Sequence, residues 1–493
     1  MHAMRRESCE IVILGAGFAG SLLAILARRA GRDVILVERD RHPRFAIGES
    51  STPLADLKLR ELADAYGLDW LTPFTRYGSW KRTRPDIACG LKRGFSFFAH
   101  HRGEAYRPGV DHTRELLVAA NPNEERGDTH WYRADFDAFL AGKAVEEGVR
   151  YVDRCHITRI EPMDGWQLEG RCGDGDIRIR TSFVVDATGA GVLPPAITQA
   201  TDETHRVLTS SRAVYAHFRG VAPWADVLDE LGADRREHPF PCDAAALHHV
   251  IDGGWMWVLR FDNGVTSAGF SLDPRRYPRG AATPEAEWSA LLAAYPSIAR
   301  QFADAQPVTP FVQTGRLQRR ASRAAGEGWA MLPHTACFVD PWLSPGIALT
   351  LYGVERLARI LGELWQSPTQ AEQLAAYERA TFAEFELVDR ITAACFAKLD
   401  CFPVLTALTM LYFAAATSGE ERIRAGDTAA GASFLLAGDP RFRDVVEKIT
   451  RAAGGATPDG AAAFTREVAT AIAPYNTVNL LDPGKRNMYA FEP

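Results

Sequence analysis

The sequence predicts a mixed α/β chain: a doubly wound parallel sheet, an interleaved antiparallel sheet and a helical C-terminal region. Three observations predict it. Within the first forty residues a short apolar run (Glu10–Leu14), a helical spacing of Leu and Ala (Phe18–Arg29) and a second apolar run (Asp33–Val37) make a βαβ unit. From about 205 to 320, short strand patterns alternate with turns, as an antiparallel sheet does. After Asp340, helical periodicity dominates to the end of the chain.

The remaining elements follow in order. Residues 54–68 (LADLKLRELADAYGL) read as an amphipathic helix, and the aromatic stretch from about 70 to 132 reads as loop-rich. A helical pattern returns at Ala134–Glu147, strand patterns at Val152–Ile160 and Gly175–Asp186, and long helices at Val354–Trp365 and Glu372–Phe396. The chain shows no internal repeat.

Composition excludes several classes. The 493 residues are 46% hydrophobic and 24% charged, which is ordinary for a globular chain and excludes long disorder, a coiled coil or a collagen-like rod. A net charge of −6 offers no footprint for nucleic acid. The eight cysteines form no CxxC pair and no zinc spacing, so we read them as scattered free thiols in a reducing cytosol, with no metal site. The basic start is followed by an apolar run too short for a signal peptide before glycines punctuate it. Phe402–Thr417, the longest apolar stretch, contains Pro403 and several threonines and reads as a buried helix. A soluble cytoplasmic protein with no membrane partner is expected.

The sharpest motif is Gly15-Ala16-Gly17-Phe18-Ala19-Gly20, between the first strand and the first helix. Its first glycine permits a tight turn, its second lets a pyrophosphate approach the backbone, and its third lets helix and strand pack closely. The helix N-terminus then offers unpaired N–H groups to the phosphates. Glu38, at the end of the second strand and followed by Arg39, is placed to accept from a ribose diol. Two further strand ends favour a flavin over a nicotinamide. Phe183–Ala190 (FVVDATGA) ends in a small-residue turn holding Asp186 and Gly189. Phe338–Gly346 (FVDPWLSPG) runs from Asp340 through Pro345 and Gly346 into a helix at Ile347. Amides and helix dipoles at such strand ends favour negative charge on the pyrimidine side of an isoalloxazine. The expected fold is therefore a glutathione-reductase-type FAD-binding Rossmann fold. One composite domain over 1–380, with substrate segments interleaved at about 70–132 and 200–335, precedes a mainly helical region at 381–493.

Three segments, Pro43–Ser50 (PRFAIGES), Gly254–Leu259 (GWMWVL) and Asp340–Gly346, resemble those of the flavin-dependent halogenases. This family belongs to the same large group as the single-component aromatic hydroxylases. GWMWVL follows the family's GWxWxIP signature to the second Trp, then departs, with Leu259-Arg260 where Ile-Pro is usual. Ala88–Phe97 (ACGLKRGFSF), the His248-His249 step, and Arg133 and Asp135 in HWYRADFD are similar to the phenol-halogenating members. The resemblance spans about residues 8–360, and beyond it only the helical character is shared.

The resemblance implies the following chemistry. A separate NAD(P)H flavin reductase supplies FADH₂, oxygen adds to give a C4a-hydroperoxide, and bound chloride or bromide attacks its terminal oxygen. Hypohalous acid then crosses an internal tunnel to a substrate held beside a lysine. Free hypohalous acid is indiscriminate, so an amine that hydrogen-bonds it, or forms a haloamine, must hold and aim it. Lys92, in ACGLKRGFSF, is the expected catalytic residue; Lys81, in SWKRTRP, has no such match and reads as surface charge. Phe95 and Phe97 are expected as substrate walls. Trp255 and Trp257, two apart on a strand and so facing one side, are expected beside the tunnel with Ser344. Core packing alone accounts for these aromatics almost equally well, and His248 and His249 read as structural. Glu49, Ser50 and Arg133 join the expected flavin set, and the backbone of Gly346 and Ile347 is expected to receive flavin or halide.

The expected function is thus an FAD-dependent halogenase of a small, electron-rich phenolic or related aromatic compound, acting as a monomer or homodimer. Two alternatives remain. One is an aromatic hydroxylase, although its usual DG pair and GDAxH-type segment are replaced here by DATGAGVLPP and CFVDPWLSPG. The other is a catalytically silent flavin-binding protein, which need not keep an amine at position 92.

Overall fold

The computed structural model describes residues 4–427 and 432–492; Met1–Ala3 of the basic start lie outside them. Strand β1 (Arg5–Leu14), helix α1 (Phe18–Arg29) and strand β2 (Val34–Val37) form the expected βαβ unit. Ile11–Leu14 and Val34–Val37 pair in parallel and are buried on both faces, as strands between covering layers must be. Helix α2 (Pro53–Tyr66) opens on a proline, which lacks the N–H a first turn cannot use, and closes on Gly67 at φ +63°.

The aromatic stretch expected as loop is largely ordered into helix α3 (Tyr77–Thr83) and strands β3 (Cys89–Lys92), β4 (Gly94–Ala99), β5 (Glu115–Ala119) and β6 (Asp128–Trp131). Their pattern was hidden for a physical reason. β3 and β6 are four residues long and form a two-stranded ladder of their own, met on the other side of β6 only by a single bridge from Ser50, while every residue of β4 is buried, so no polar alternation marks it. Helix α4 (Arg133–Glu146) and strand β7 (Arg150–Val152) return the chain to the parallel sheet.

Strands β8 (Cys155–Met163) and β9 (Gly165–Cys172) form a hairpin whose second arm pairs with β10 (Gly175–Asp186), and β10 lies parallel to β1. The hairpin register sets Cys155 opposite Cys172, and the two are joined as a disulfide. This corrects the reading of all eight cysteines as free thiols; the other six are free.

Strands β11 (Arg212–Arg219), β12 (Ala246–Ile251), β13 (Gly254–Arg260) and β14 (Thr266–Leu272) make the second sheet, in the order β11-β14-β13-β12-β4-β5. A short strand from the end of the chain, Met488–Tyr489, joins it beside β5. This sheet divides two cores. Phe95, Phe97, Trp255 and Trp257 face the core shared with the parallel sheet, while Phe98, Leu117, Met256 and Val258 face the other. Helix Gly346–Gly362 starts eight residues earlier than the periodicity suggested, and Gln370–Phe396, Phe402–Arg424, Pro440–Ala453 and Ala461–Ile472 follow. Among the described residues only Phe402–Arg424 is long and apolar enough to cross a membrane. It is mostly buried, as expected of a core helix, and its Thr409 and Thr417 hydroxyls donate to the carbonyls of Leu405 and Phe413.

Candidate active site

Each glycine of the first turn answers a different demand. Gly15 sits at φ +100°, and a Cβ there would lie 2.7 Å from the Ala187 carbonyl oxygen. A Cβ on Gly20 would lie 2.0 Å from the Gly15 carbonyl oxygen, so this glycine sets how closely helix and strand pack. At Gly17 a Cβ would meet only side-chain ends: the Arg133 guanidinium at 3.5 Å, the Asp137 carboxylate at 3.7 Å and the Arg44 guanidinium at 3.8 Å. The space over Gly17 is therefore open and faced by two guanidinium groups, one of them paired with Asp137.

That space belongs to a cavity of about 500 Å³. Helix α1 points its N-terminus into it, with no capping side chain and no acid in the first turn, which leaves its first N–H groups for a ligand. Two buried donors of residues lining the cavity, Arg44 Nε and Arg319 Nε, have no partner among the described residues. Donors without acceptors around a glycine-floored groove match an anionic pyrophosphate, so the residues present fit FAD. Arg133 is locked for this role: its guanidinium binds both carboxylate oxygens of Asp137 (2.7 and 2.8 Å) and donates to the carbonyls of Ile47 and Gly48. Glu38 Oε2 accepts from the Ala16 amide at 2.9 Å and Oε1 from that of Asp40 at 3.0 Å, and Arg44 pairs with it at 3.1 Å. Burial pushes this carboxyl up, but Arg44 and the two amides more than offset it, holding it below the usual carboxylate range.

The structure gathers most of the sequence-predicted flavin residues on this cavity. Gly15, Gly17, Phe18, Ala19, Glu38 and Arg39 line it from the first βαβ unit. Arg133, Gly189, Asp340, Pro345, Gly346 and Ile347 line it from elsewhere in the chain. Four predicted residues stand behind the wall. Gly20 packs against Gly15. Asp186 shapes the turn by accepting from Thr188, Val192 and Leu193. Glu49 bonds His217 Nε2 at 2.8 Å, and Ser50 accepts from the hydroxyl of Ser344 at 3.1 Å.

From Asp340 an aromatic wall runs to Lys92. Asp340 accepts from the Trp255 indole N–H at 3.2 Å and from the hydroxyls of Ser211 and Ser271. Trp255 stacks on His248 at 5.0 Å, and His248 stacks on Phe97 at 4.3 Å. Phe97 neighbours Phe95 at 6.4 Å, and Lys92 Nζ stands 4.0 Å over the Phe95 ring. Trp342 closes the group against Phe97, His248 and Trp255. Trp257 is set further along, 5.9 Å from Trp255, its indole donating to Ser267. Burial pushes His248 down to about 3, so it is neutral and serves as a ring.

Lys92 is the last residue of β3 and is fully buried. Its Nζ donates to the Ser51 carbonyl at 2.5 Å. Burial pushes it down to about 8 against the pull of Asp128 and Asp56. The segment Gly48–Thr52 passes beside it, with Gly48 on the 500 Å³ cavity and Thr52 on a second cavity of about 100 Å³. That second cavity is floored by Phe95, walled by Tyr412 and Phe413, and given a polar end by Glu420 and Arg424. Lys92 itself lines neither cavity. Lys81, by contrast, pairs with Asp262 near the surface.

Sequence reasoning missed Arg44, Asp56, Asp128, Arg319, His334 and Glu420. Arg44 and Asp128 lie inside or beside motifs already singled out, PRFAIGES and HWYRADFD, and a search for charges flanking those motifs finds both. Glu420 is an acid near the end of an otherwise apolar stretch, a local signal. Asp56, Arg319 and His334 carry no local signal, because only the tertiary fold brings them to the site.

Comparison with known proteins agrees with this geometry. The sequence profile of the family described as FAD dependent oxidoreductase matches residues 10–309. Monodechloroaminopyrrolnitrin halogenase PrnC of Pseudomonas fluorescens is 31% identical over 424 residues, covering 84% of this chain and 72% of that protein. Tetracycline 7-halogenase of Kitasatospora aureofaciens is 28% identical over 424 residues, covering 84% and 74%. The crystal structure of halogenase PltM in complex with phloroglucinol and FAD superposes with a TM-score of 0.85 at 22% identity, over 97% of this chain and 99% of that one. Matching donors, matching fold and matching sequence lead to one assignment: the chain is an FAD-dependent enzyme and belongs to the flavin-dependent halogenases.

Proposed function

We propose that this halogenase acts on a small, electron-rich, single-ring phenolic or related aromatic compound, with Lys92 holding and aiming hypohalous acid at the ring. The observation that supports it most is a fully buried amine 4.0 Å over Phe95, which lines the aromatic-walled cavity, and bonded to Ser51, in the segment that starts at Gly48 on the cavity fitted to FAD. The second cavity, about 100 Å³, suits one ring, given that an apolar cavity of about 150 Å³ takes up benzene.

When bound in reduced form, FAD supplies with O₂ the oxidising equivalents that turn chloride or bromide into hypohalous acid. The backbone N–H groups of Gly346 and Ile347, at a helix N-terminus without an acidic first turn, are suited to an anion. Lys92 spends one N–H on Ser51 and keeps two for the oxygen of the hypohalous acid. As a ring carbon bonds the halogen, the halogen–oxygen bond breaks, and the ammonium proton goes to the departing oxygen, giving water. The ring then loses its proton to the neutral Lys92 amine, which restores the ammonium. The wall of Trp255, His248, Phe97 and Phe95 keeps water and competing nucleophiles from the acid.

The test is incubation with FADH₂, O₂, chloride or bromide and a panel of phenols, indoles and pyrroles, read by mass spectrometry for halogen isotope patterns. Single-ring phenols should give product, which should fall as pH rises through about 8 and Lys92 loses its proton. Products confined to fused-ring substrates count against this reading. A further prediction concerns the reductase: the purified chain should consume NADPH negligibly until a separate flavin reductase is added. Rapid consumption by the chain alone favours a hydroxylase.

A further inference from the structure

Lys92 poses a charge problem that its carbonyl partner does not solve. An ammonium removed from water needs a counter-charge, and a backbone carbonyl supplies only a dipole. Two carboxyl groups stand nearby and are buried too. Asp128 lies directly opposite Lys92 in the β3–β6 ladder, and Asp56 projects from the first turn of α2. Ser51 ties them in: its carbonyl accepts from Lys92, and its hydroxyl donates to Asp56 Oδ1 at 2.9 Å. Asp128 Oδ2 is buried and meets no N–H or O–H donor among the described residues. An ionised Asp128 would thus be left without a hydrogen bond in the interior, which favours a proton on the pair. Two ionised carboxylates would leave the pocket with an excess negative charge, whereas two sharing one proton balance a single ammonium.

We propose that Asp56 and Asp128 share one proton and together act as the counter-ion that keeps Lys92 an ammonium, a positioning pair for the halogenating amine. This rests on the reading of Lys92 given above. The other ionisable groups around the amine fit it. His130, next but one to Asp128 on β6, and His248 on β12 are pushed by burial to about 3 and bring no charge. On the helix Phe402–Arg424, burial pushes Glu420 up to about 8; Arg424, which acts on Asp128, and Arg76, which acts on Asp56, are exposed, so solvent screens them and Lys92 is the cation buried with the pair. Burial likewise pushes Asp128 up to about 7 and Asp56 well above the usual carboxylate range.

A shared proton makes the two carboxyls partly interchangeable, and this sets the test. Asp56→Asn and Asp128→Asn each leave one carboxylate able to balance Lys92. Each should keep kcat within about tenfold of the parent and move its alkaline limb down modestly. The double variant leaves the amine without a counter-charge. Its kcat should fall by about 100-fold or more, well beyond the product of the single losses, with KM little changed and the alkaline limb shifted by more than one pH unit. NMR of ¹³C-labelled lysine, with the Lys92 signal assigned by its absence in Lys92→Ala, reads the same titration without any substrate. An unmoved Lys92 titration in the double variant overturns the proposal, as does a single variant as damaging as the double. If the double variant does not retain FAD, the singles decide: an unmoved titration in both overturns it. Failure of the parent enzyme to halogenate, with the NMR shifts as expected, would strike the assigned reaction and leave the counter-ion pair standing.

Discussion

Lys92→Ala should lose halogenation by about 10²–10⁴-fold, the range ordinarily supplied by one positioned acid–base group, while retaining FAD. The flavin cavity and Lys92 share no lining residue that the substitution removes, and Arg133, Arg44 and the α1 N-terminus are untouched. Truncation leaves Asp56 and Asp128 without their cation. They are already held toward the protonated form, so a second proton neutralises the pair and the fold tolerates the loss. Hypohalous acid formed at the flavin should still escape and halogenate a small scavenger in solution, because Lys92 acts after it is made. The measurement is product per FADH₂ consumed, alongside flavin absorbance and scavenger halogenation. Full product from the variant removes Lys92 from the mechanism.

The parts legible in the sequence were those whose signal is local. The glycine turn, helix α1, strand β2 and Gly175–Asp186 were read to within a residue or so, because a parallel strand buried on both faces is an uninterrupted apolar run and a phosphate turn needs its glycines in sequence, whereas β1 was read five residues short because Arg5–Ser8 are polar and half-exposed or exposed. The flavin residues after Asp186 and Asp340 were legible as strand ends. The loop reading of 70–132 failed because β3 and β6 are short and β4 lies between two cores. The disulfide escaped because Cys155 and Cys172 become neighbours only through the hairpin register. The aromatic wall was half legible. Phe95, Phe97, Trp255 and Trp257 stood in motifs, but their alignment with His248 and Trp342 depends on β12 pairing in parallel with β4 across about 150 residues of chain. Lys92's counter-charges were invisible for the same reason: Asp56, Lys92 and Asp128 come from a helix and two strands with no shared pattern.

Gly17→Val should abolish FAD retention while leaving the apoprotein folded, and the contrast with Gly20→Val shows why. At Gly17 the new side chain meets only the side-chain ends of Arg133, Asp137 and Arg44, at 3.5 Å or more, so the chain without flavin accommodates it. It then occupies the groove over the α1 N-terminus, where the pyrophosphate would receive N–H and guanidinium donors. Two hydrogen bonds to a charged group, at about 1.5–3 kcal/mol each, amount to roughly 10²–10⁴-fold in affinity. Gly20→Val acts on the fold: its Cβ would stand 2.0 Å from the Gly15 carbonyl oxygen, a backbone atom held in the turn, and α1 would have to lift off β1. Thermal unfolding and flavin content separate the two effects. Gly17→Val should melt within a few degrees of the parent apoprotein and carry no flavin, whereas Gly20→Val should be destabilised by about 1–3 kcal/mol or more, or fail to accumulate. Normal flavin content in Gly17→Val would place the pyrophosphate elsewhere and detach the cofactor from this turn.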